Sequence, residues 1–461
     1  MWVQARKTYD AKLPSTSNNR KAFQANCPQT TSLMKGKTIH NITNKLASSK
    51  PSLMALLLAM LMPAASHSQE NICFSPQIKT LQVKIDGQWG QEPVTLLKGG
   101  HKVEISFDDL QASYQRFRYS ITHCNADWQP SELITSEYMT GFNDTTIDDY
   151  EPAIGTKMNY CHYNLTLPNE ENSLLVSGNY IVTVYSDESD SAVAQACFSL
   201  LEPHVGVEIN VTSNTDIDTY QKHQQINFSV NYSGYHINDP IGEMRYIVTQ
   251  NRRWDNHASN LRPSSMQMNK LNFEHNHSLI FPAGNEYRRF EMLDAYVPTM
   301  NVETMEYDDT YYHAHIYADK QRTHYLYDEG QDGRFLIRNG DDIDPDTSSD
   351  YFITHFTLNM QQVAGGNVYL FGDMTGNRID PAYQMLYNPI DHQYELAIPL
   401  KQGSYNYMYM FNDGNSPKAQ TEQCEGNFHI TENEYSVYVY HRSFGSRYDK
   451  LIGYKNIHYK E

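Results

Sequence analysis

Between Ile78 and Pro203 the sequence breaks into short runs in which apolar and polar side chains alternate: TLQVKI, KVEISF, FRYSIT, YNLTLP and NYIVTVY. Asp-Gly, Gly-Gly, Pro-Asn and Ser-Gly pairs punctuate them. A period of two sends successive side chains to opposite faces of a strand, whereas an amphipathic helix needs a period near 3.6. Short strands at this spacing, with no helical stretch between them, predict a β-sandwich of immunoglobulin-like size. The 35 tyrosines point the same way, because aromatic side chains suit a pleated, half-buried surface.

The regularity breaks at Arg116–Tyr150, RFRYSITHCNADWQPSELITSEYMTGFNDTTIDDY. His123 and Cys124 close the strand FRYSIT. Asn125 and Asp127 can bond back to local backbone and Pro130 lacks a donor, so Cys124 to Pro130 reads as a turn with Trp128 inside it. Ser131 then caps a short irregular segment that contains Tyr138 and ends at Gly141, after which Phe142 is expected to re-enter an apolar environment. The excursion from 125 to 157 is long for a compact domain, and such loops are commonly functional or folded on themselves. It is the leading candidate for a partner-facing surface.

The start of the chain reads as an export signal. LMALLLAMLMPAA at Leu53–Ala65 follows Lys35, Lys37, Lys45 and Lys50 and precedes small residues, with cleavage expected near Ser66 or Ser68. The run is too short to span a bilayer. MKGK at Met34 resembles an ordinary signal-peptide opening, which makes residues 1–33 a misassigned gene start or an extension. No cysteine follows the small residues directly, so a lipid anchor is not expected and a soluble exported protein is. Residues 1–68 hold nine Lys plus Arg and one acidic residue. Their removal leaves 27 basic against 53 acidic side chains, a net charge of about −26. Such a balance repels nucleic-acid backbones and anionic lipid. Five cysteines remain, at 73, 124, 161, 197 and 424, and the spacing names no pair.

The exported chain divides into an N-terminal sandwich at 71–203, a middle β domain at 204–350 and a C-terminal immunoglobulin-like sandwich at 351–461. The middle domain is expected to hold QQINFSVNY, MRYIVTQN, the block AGNEYRRFE at Ala283–Glu291, a strand in YYHAHIYAD, a hairpin turning at Gln331-Asp332-Gly333 and an exposed acidic loop, GDDIDPDTSSD. In AGNEYRRFE, alternation along a strand places Arg289 and Glu291 on one face and Arg288 and Phe290 on the other. With Asn285 and Glu286 these form either an anion-binding edge or an Arg–Glu pair fixing a domain junction, and the second is favoured.

The run HCNADW with the following SEL, the EYMTGFND segment, the block AGNEYRRFE and the tail from Tyr435 to Tyr454 together resemble the type IX secretion system plug family of Bacteroidota. The resemblance extends over almost all of the chain after residue 70. It implies a periplasmic interaction protein that associates with the outer-membrane translocon barrel and obstructs its empty channel. The strands NVYLFGDMTG and YELAIPLKQGSYNYMYMF separately resemble immunoglobulin-like carbohydrate-binding modules of glycogen-branching enzymes. That makes a glycan-binding envelope protein, acting through Tyr383, Tyr387, Tyr405 or Tyr407, the alternative.

Catalytic readings are weaker. His123 with Asp127 could form a His–Asp couple, but no nucleophile motif or glycine-rich anion loop accompanies it, and GxSxG, HExxH, GxGxxG and Walker-type segments are not found. His313 and His315 share one strand face, as do His275 and His277, and two histidines are half a zinc site. No cofactor or metal is expected. The chain is read as an all-β protein of serial immunoglobulin-like β-sandwich domains, with no enzymatic activity and its candidate partner-interface or structural residues in the two motif blocks.

Overall fold

The computed structural model describes residues 69–111, 113–340 and 343–461. The expected signal segment 53–65, the extension before it, and Asp341 and Asp342 of the acidic run lie outside the described residues. The fold is all-β: six sheets, nearly all antiparallel, pack around three principal cores.

The first sandwich follows the alternation. One sheet orders Ile72–Cys73, Ala192–Leu201, Gly178–Ser186, Phe117–Cys124 and Thr145–Thr146, and the facing sheet orders Ile78–Ile85, Val103–Asp109, Cys161–Leu167 and Tyr150–Pro152. Every second residue of Phe117–Cys124 and of Cys161–Leu167 is buried, so Phe117, Tyr119, Ile121, Tyr163 and Leu165 meet in the core while Arg118 and Thr122 stay outside. The long excursion folds back on the sandwich. Thr145–Thr146 extends one sheet and Tyr150–Pro152 the other, which satisfies backbone groups a free loop would leave to water.

The expected division between 204–350 and 351–461 is not where the sheets divide. Gly206–Thr212, His223–Asn231, Lys270–Phe273 and Ser265–Gln267 form one layer of the second sandwich. Its other layer joins Arg253–Ala258 and Met244–Gln250 to the chain's final strands, Asn433–His441 and Lys450–Tyr459. The third sandwich is built from the intervening chain. Arg288–Met292 pairs with Gly403–Asn412, and Tyr312–Ile316 runs parallel to Tyr351–Asn359. It is thus inserted into the second. The physical reason is partner choice: every residue of the strand Asn433–His441 is buried, so it gives no face to solvent, and only a central place between two neighbours satisfies both of its edges. The expected hairpin at Gln331-Asp332-Gly333 is also absent. The turn exists, with Asp332 at φ 51° and Gly333 at φ 85°, but Phe335–Ile337 pairs with Gly403–Asn412 instead of a preceding strand. In the acidic run, Asp350 is buried rather than exposed and accepts from the backbone of Lys157 (2.6 Å) and Met158 (3.1 Å).

A buried ion pair pins the first sandwich to the third. Asp108 and Lys401 are each about fully buried, with Nζ 2.7 Å from Oδ2. Tyr351 donates to the same oxygen at 2.6 Å and His162 lies 2.7 Å from the other. Lys401 also donates to the Asp346 carbonyl (2.6 Å) and sits 4.2 Å from the Tyr160 ring centre. Burial opposes ionisation of Asp108, but Lys401 and His162 outweigh it and hold its carboxyl below the ordinary value. Removing one partner leaves an uncompensated buried charge. Lys401→Met should therefore cost roughly 3–5 kcal/mol in urea unfolding, and Asp108→Asn with Lys401→Met less than the sum of the two single changes. Equal additivity would show that the two groups do not act as a pair.

Candidate functional site

Both motif blocks lie at junctions between sandwiches. After Cys124 the chain leaves its sheet in a tight turn: Trp128 N donates to the Asn125 carbonyl (3.0 Å) and Asn125 N to the Gln129 carbonyl (2.8 Å). Trp128 itself takes φ 60°, the left-handed region that non-glycine residues rarely occupy. This conformation is held by packing. The Trp128 side chain is 1% exposed and meets Trp254 edge to face at 5.6 Å, within an apolar cluster that includes Cys124, Ala126, Ile247, Tyr438, Tyr440 and Leu451. Polar clamps surround it. Ala126 N donates to Asp449 Oδ2 (3.0 Å), Asp449 N donates to Asn125 Oδ1 (3.2 Å), and Asn179 Nδ2 donates to the Asn125 carbonyl (2.9 Å). The turn thus fastens the first sandwich to the second.

His123 and Asp127 do not form a couple. His123 is buried, donates from Nε2 to the Ser177 carbonyl (3.1 Å) and bonds the Ser131 hydroxyl through Nδ1 (2.9 Å). Burial pulls its pKa down to about 4, so it is neutral at ordinary pH. Gly178, at φ 134°, makes room for it, since a Cβ there would stand 2.5 Å from Nε2. Asp127 is exposed and accepts from Gln129 N (3.2 Å). The imidazole is a core group with both nitrogens satisfied.

Beyond the turn, the loop presents apolar side chains to solvent. Tyr138, in the short helix Thr135–Tyr138, is buried and donates to the Ile121 carbonyl (2.9 Å). Gly141 is required where it stands: φ is 80° and a Cβ would fall 1.9 Å from the Glu171 carbonyl oxygen. Phe142 does not re-enter an apolar environment, being 84% exposed. The backbone on either side is tied down, with the Phe142 carbonyl accepting from Asn172 Nδ2 (2.9 Å) and Asn143 bonding both backbone groups of Ile121. The ring is left projecting outward. Ile134 is 64% exposed on the same loop. Phe444 is 97% exposed on the neighbouring 442–449 turn, which joins this loop through the Arg447–Glu137 ion pair and the Glu132 N to Arg447 carbonyl bond. Sequence reasoning did not single out Phe444, although it lies within the tail Tyr435 to Tyr454 that carries the resemblance.

The block AGNEYRRFE lies where the second and third sandwiches meet. Buried Asn285 donates to the carbonyls of His324 (3.1 Å) and Glu425 (3.0 Å). The alternation along Arg288–Met292 is as expected, with Arg288 and Phe290 inside and Arg289 and Glu291 half-buried. Arg288 forks onto buried Glu425 (3.0 and 2.9 Å) and reaches Asp319 (2.6 Å), Arg289 pairs with Asp328 (2.7 Å), and Glu291 accepts from the Ser404 hydroxyl (2.8 Å). The arginine forks are occupied by the chain's own carboxylates, which leaves no open anion-binding edge here. Glu286 is 3% exposed and accepts from the Tyr325 hydroxyl (2.8 Å) and Glu432 N (3.0 Å). Burial pushes its carboxyl up to about 7.

A third histidine joins one predicted pair. Parallel strand pairing brings His355 against His315, rings stacked at 4.2 Å, and its Nε2 lies 2.9 Å from His313 Nδ1. His275 instead bonds Asp216 (2.9 Å). Among the described residues no group of three His, Cys, Asp or Glu side chains is arranged to hold a metal ion. All five described cysteines are free thiols. Of the four tyrosines on which the glycan alternative rests, Tyr405 and Tyr407 are each 1% exposed core residues and offer no stacking face to a sugar.

The family model for the type 9 secretion system plug protein 1st domain matches residues 78–202, the span of the first sandwich. The chain belongs to the type IX secretion system plug family. Membership in this plug family links it to type IX secretion and to the cell envelope, in a structural or secretion role. The crystal structure of a hypothetical protein from Parabacteroides merdae is similar at 44% identity, covering 85% of this chain and 100% of that one, with a TM-score of 0.84. The C-terminal domain of the Streptococcus pyogenes antigen I/II-family protein AspA is 9% identical, covering 83% of this chain and 99% of that one, and its TM-score of 0.17 is too low to bear on the fold. No curated protein matches. Among the described residues no helix is long and apolar enough to cross a membrane.

Glu286 gives the plug-family block a pH signature. With a folded pKa near 7 and an ordinary value of 4.5, the folded state keeps this proton while the unfolded state loses it between those limits. Its contribution to stability is therefore full below pH 4.5 and is lost as pH rises to 7. Glu286→Gln should stabilise the protein relative to wild type by on the order of 1–3 kcal/mol more at pH 8 than at pH 5, read from urea midpoints at both pH values. A difference that does not change with pH would refute this.

Proposed function

We propose that this protein is a non-enzymatic periplasmic plug, exported by the segment at 53–65, that binds the periplasmic opening of the type IX outer-membrane translocon barrel and occludes it when empty. The observation that carries the reading is the match of the plug-protein first domain to the sandwich bearing the exposed loop. Ile134 and Phe142 on that loop and Phe444 beside it supply the contact. Large apolar side chains held outward on fixed backbone lose little conformational freedom on docking, which suits them as anchors. Trp128, buried in the junction, holds the loop in place without touching the partner. The acidic surface keeps the unbound protein soluble and leaves recognition to shape and apolar contact.

Affinity purification of the tagged protein from its own outer membrane in mild detergent tests this. The wild type should bring down a very large barrel protein. Ile134→Ser, Phe142→Ser and Phe444→Ser together should lower recovery at least about tenfold with an unchanged melting temperature, because surface substitutions away from structural contacts barely alter stability. Wild-type protein recovered without the barrel would remove the plug reading. Undiminished recovery by the triple variant would move the contact surface elsewhere.

A further inference from the structure

Where the three sandwiches meet they border a cavity of about 390 Å3 that opens to solvent, the size of a small-ligand site. Two runs of consecutive strand residues line it, Ile78 to Lys84 and Ala397 to Leu400. Successive strand residues point to opposite faces, so a space that touches every residue of a run lies along the strand's edge. Both edges are open. Ile78–Ile85 is the end strand of its sheet, with Val103–Asp109 as its ladder partner on the other side. Gln393–Lys401 pairs with Tyr351–Asn359 along its whole length, but on its outer side strand pairing stops at Glu395.

The charge of the lining is the reverse of the chain's. In a protein of formal net charge −18, the cavity wall carries Lys79, Lys84, Arg252, Arg334 and Arg378 against Glu92 and Asp373. Arg252 pairs with Asp373, and Arg334 with Glu434 at 2.6 Å, yet the buried Nε atoms of Arg252 and Arg334 both lack an acceptor. Arg334 is 8% exposed. Among the described residues Lys79 and Lys84 form no ion pair. Buried guanidinium donors without acceptors are costly unless something supplies an oxygen.

We propose that this cavity binds the C-terminal end of an extended peptide. The peptide backbone adds to the open edge of Ile78–Ile85 past the irregularity at Thr80 and Leu81, and its terminal carboxylate takes the free Nε donors of Arg252 and Arg334. Edge addition supplies backbone hydrogen bonds regardless of peptide sequence, and the two arginine Nε donors supply the requirement for a free terminus. Trp89 and Trp254 in the wall give apolar cover. The site is distinct from the exposed loop at Ile134 and Phe142 and stands independently of the plug reading.

Calorimetric titration of the exported chain with acetyl-Val-Thr-Val as the free acid, as its C-terminal amide, and with a glucuronate disaccharide tests the site. The free acid should bind and the amide at least about tenfold more weakly, the loss expected for a charge-assisted bidentate contact. Arg334→Gln should weaken the free acid by a similar factor. Ala382→Phe, at an exposed position in the cavity wall, should obstruct binding without disturbing the core, which keeps the test decisive if Arg334→Gln fails to fold. Equal binding of acid and amide, binding of neither peptide at millimolar concentration, binding of the uronate alone, or binding indifferent to Ala382→Phe would each overturn the proposal.

Discussion

The arrangement of the three sandwiches depends on charges taken out of water at the places where they touch. Asp108 has no exposed surface, and a lone carboxylate there would be untenable. Lys401, Tyr351 and His162 together satisfy it, and two of these come from the third sandwich. Arg288 and Glu425 repeat the device within the third sandwich, and Asp449 bridges the tail to the Asn125 turn. Asp108 and Asp449 are satisfied in full only when the neighbouring module is docked. An apolar interface could slide; one built from fixed donors and acceptors has one register.

The same logic explains two blocks that read from sequence as candidate partner-interface or structural motifs. HCNADW and AGNEYRRFE are dense in polar and aromatic residues because a junction needs both: Trp128 and Trp254 fill space, while Asn125, Asn285 and Glu286 accept or supply the backbone hydrogen bonds that strand ends leave over. Beside the first block, Ile134, Phe142 and Phe444 are left pointing outward. The exposed loop of the first sandwich thus combines a fixed backbone with outward apolar side chains.

Much of this was legible locally. Alternation identified the strands and the faces of Arg288 and Phe290 against Arg289 and Glu291, and Asn125, Asp127 and Pro130 marked the turn after Cys124. Partner choice was not legible. Nothing in VYVYH says that Asn433–His441 lies beside Met244–Gln250 rather than beside its sequence neighbours, because period-2 patterning fixes faces and leaves the neighbouring strand open. Phe142 misled for a related reason: an aromatic residue after a Gly looks like a return to the core, and only the bonds from Asn172 and to Ile121 turn it out. The sequence around Lys401 does not announce its burial, which follows from Asp108, nearly three hundred residues away in sequence.

The central claim is that the three sandwiches form one cooperative body through these junctions. Hydrogen exchange measured by mass spectrometry over increasing urea would test it most directly, comparing junction segments 123–131 and 431–441 with the strand Gly178–Ser186 in the first core. Junction amides that open only with the core, at the global unfolding free energy, are the predicted result. Exchange of the junction segments at a distinctly lower free energy, with the cores still protected, would mean that the sandwiches separate before they unfold and would contradict the account.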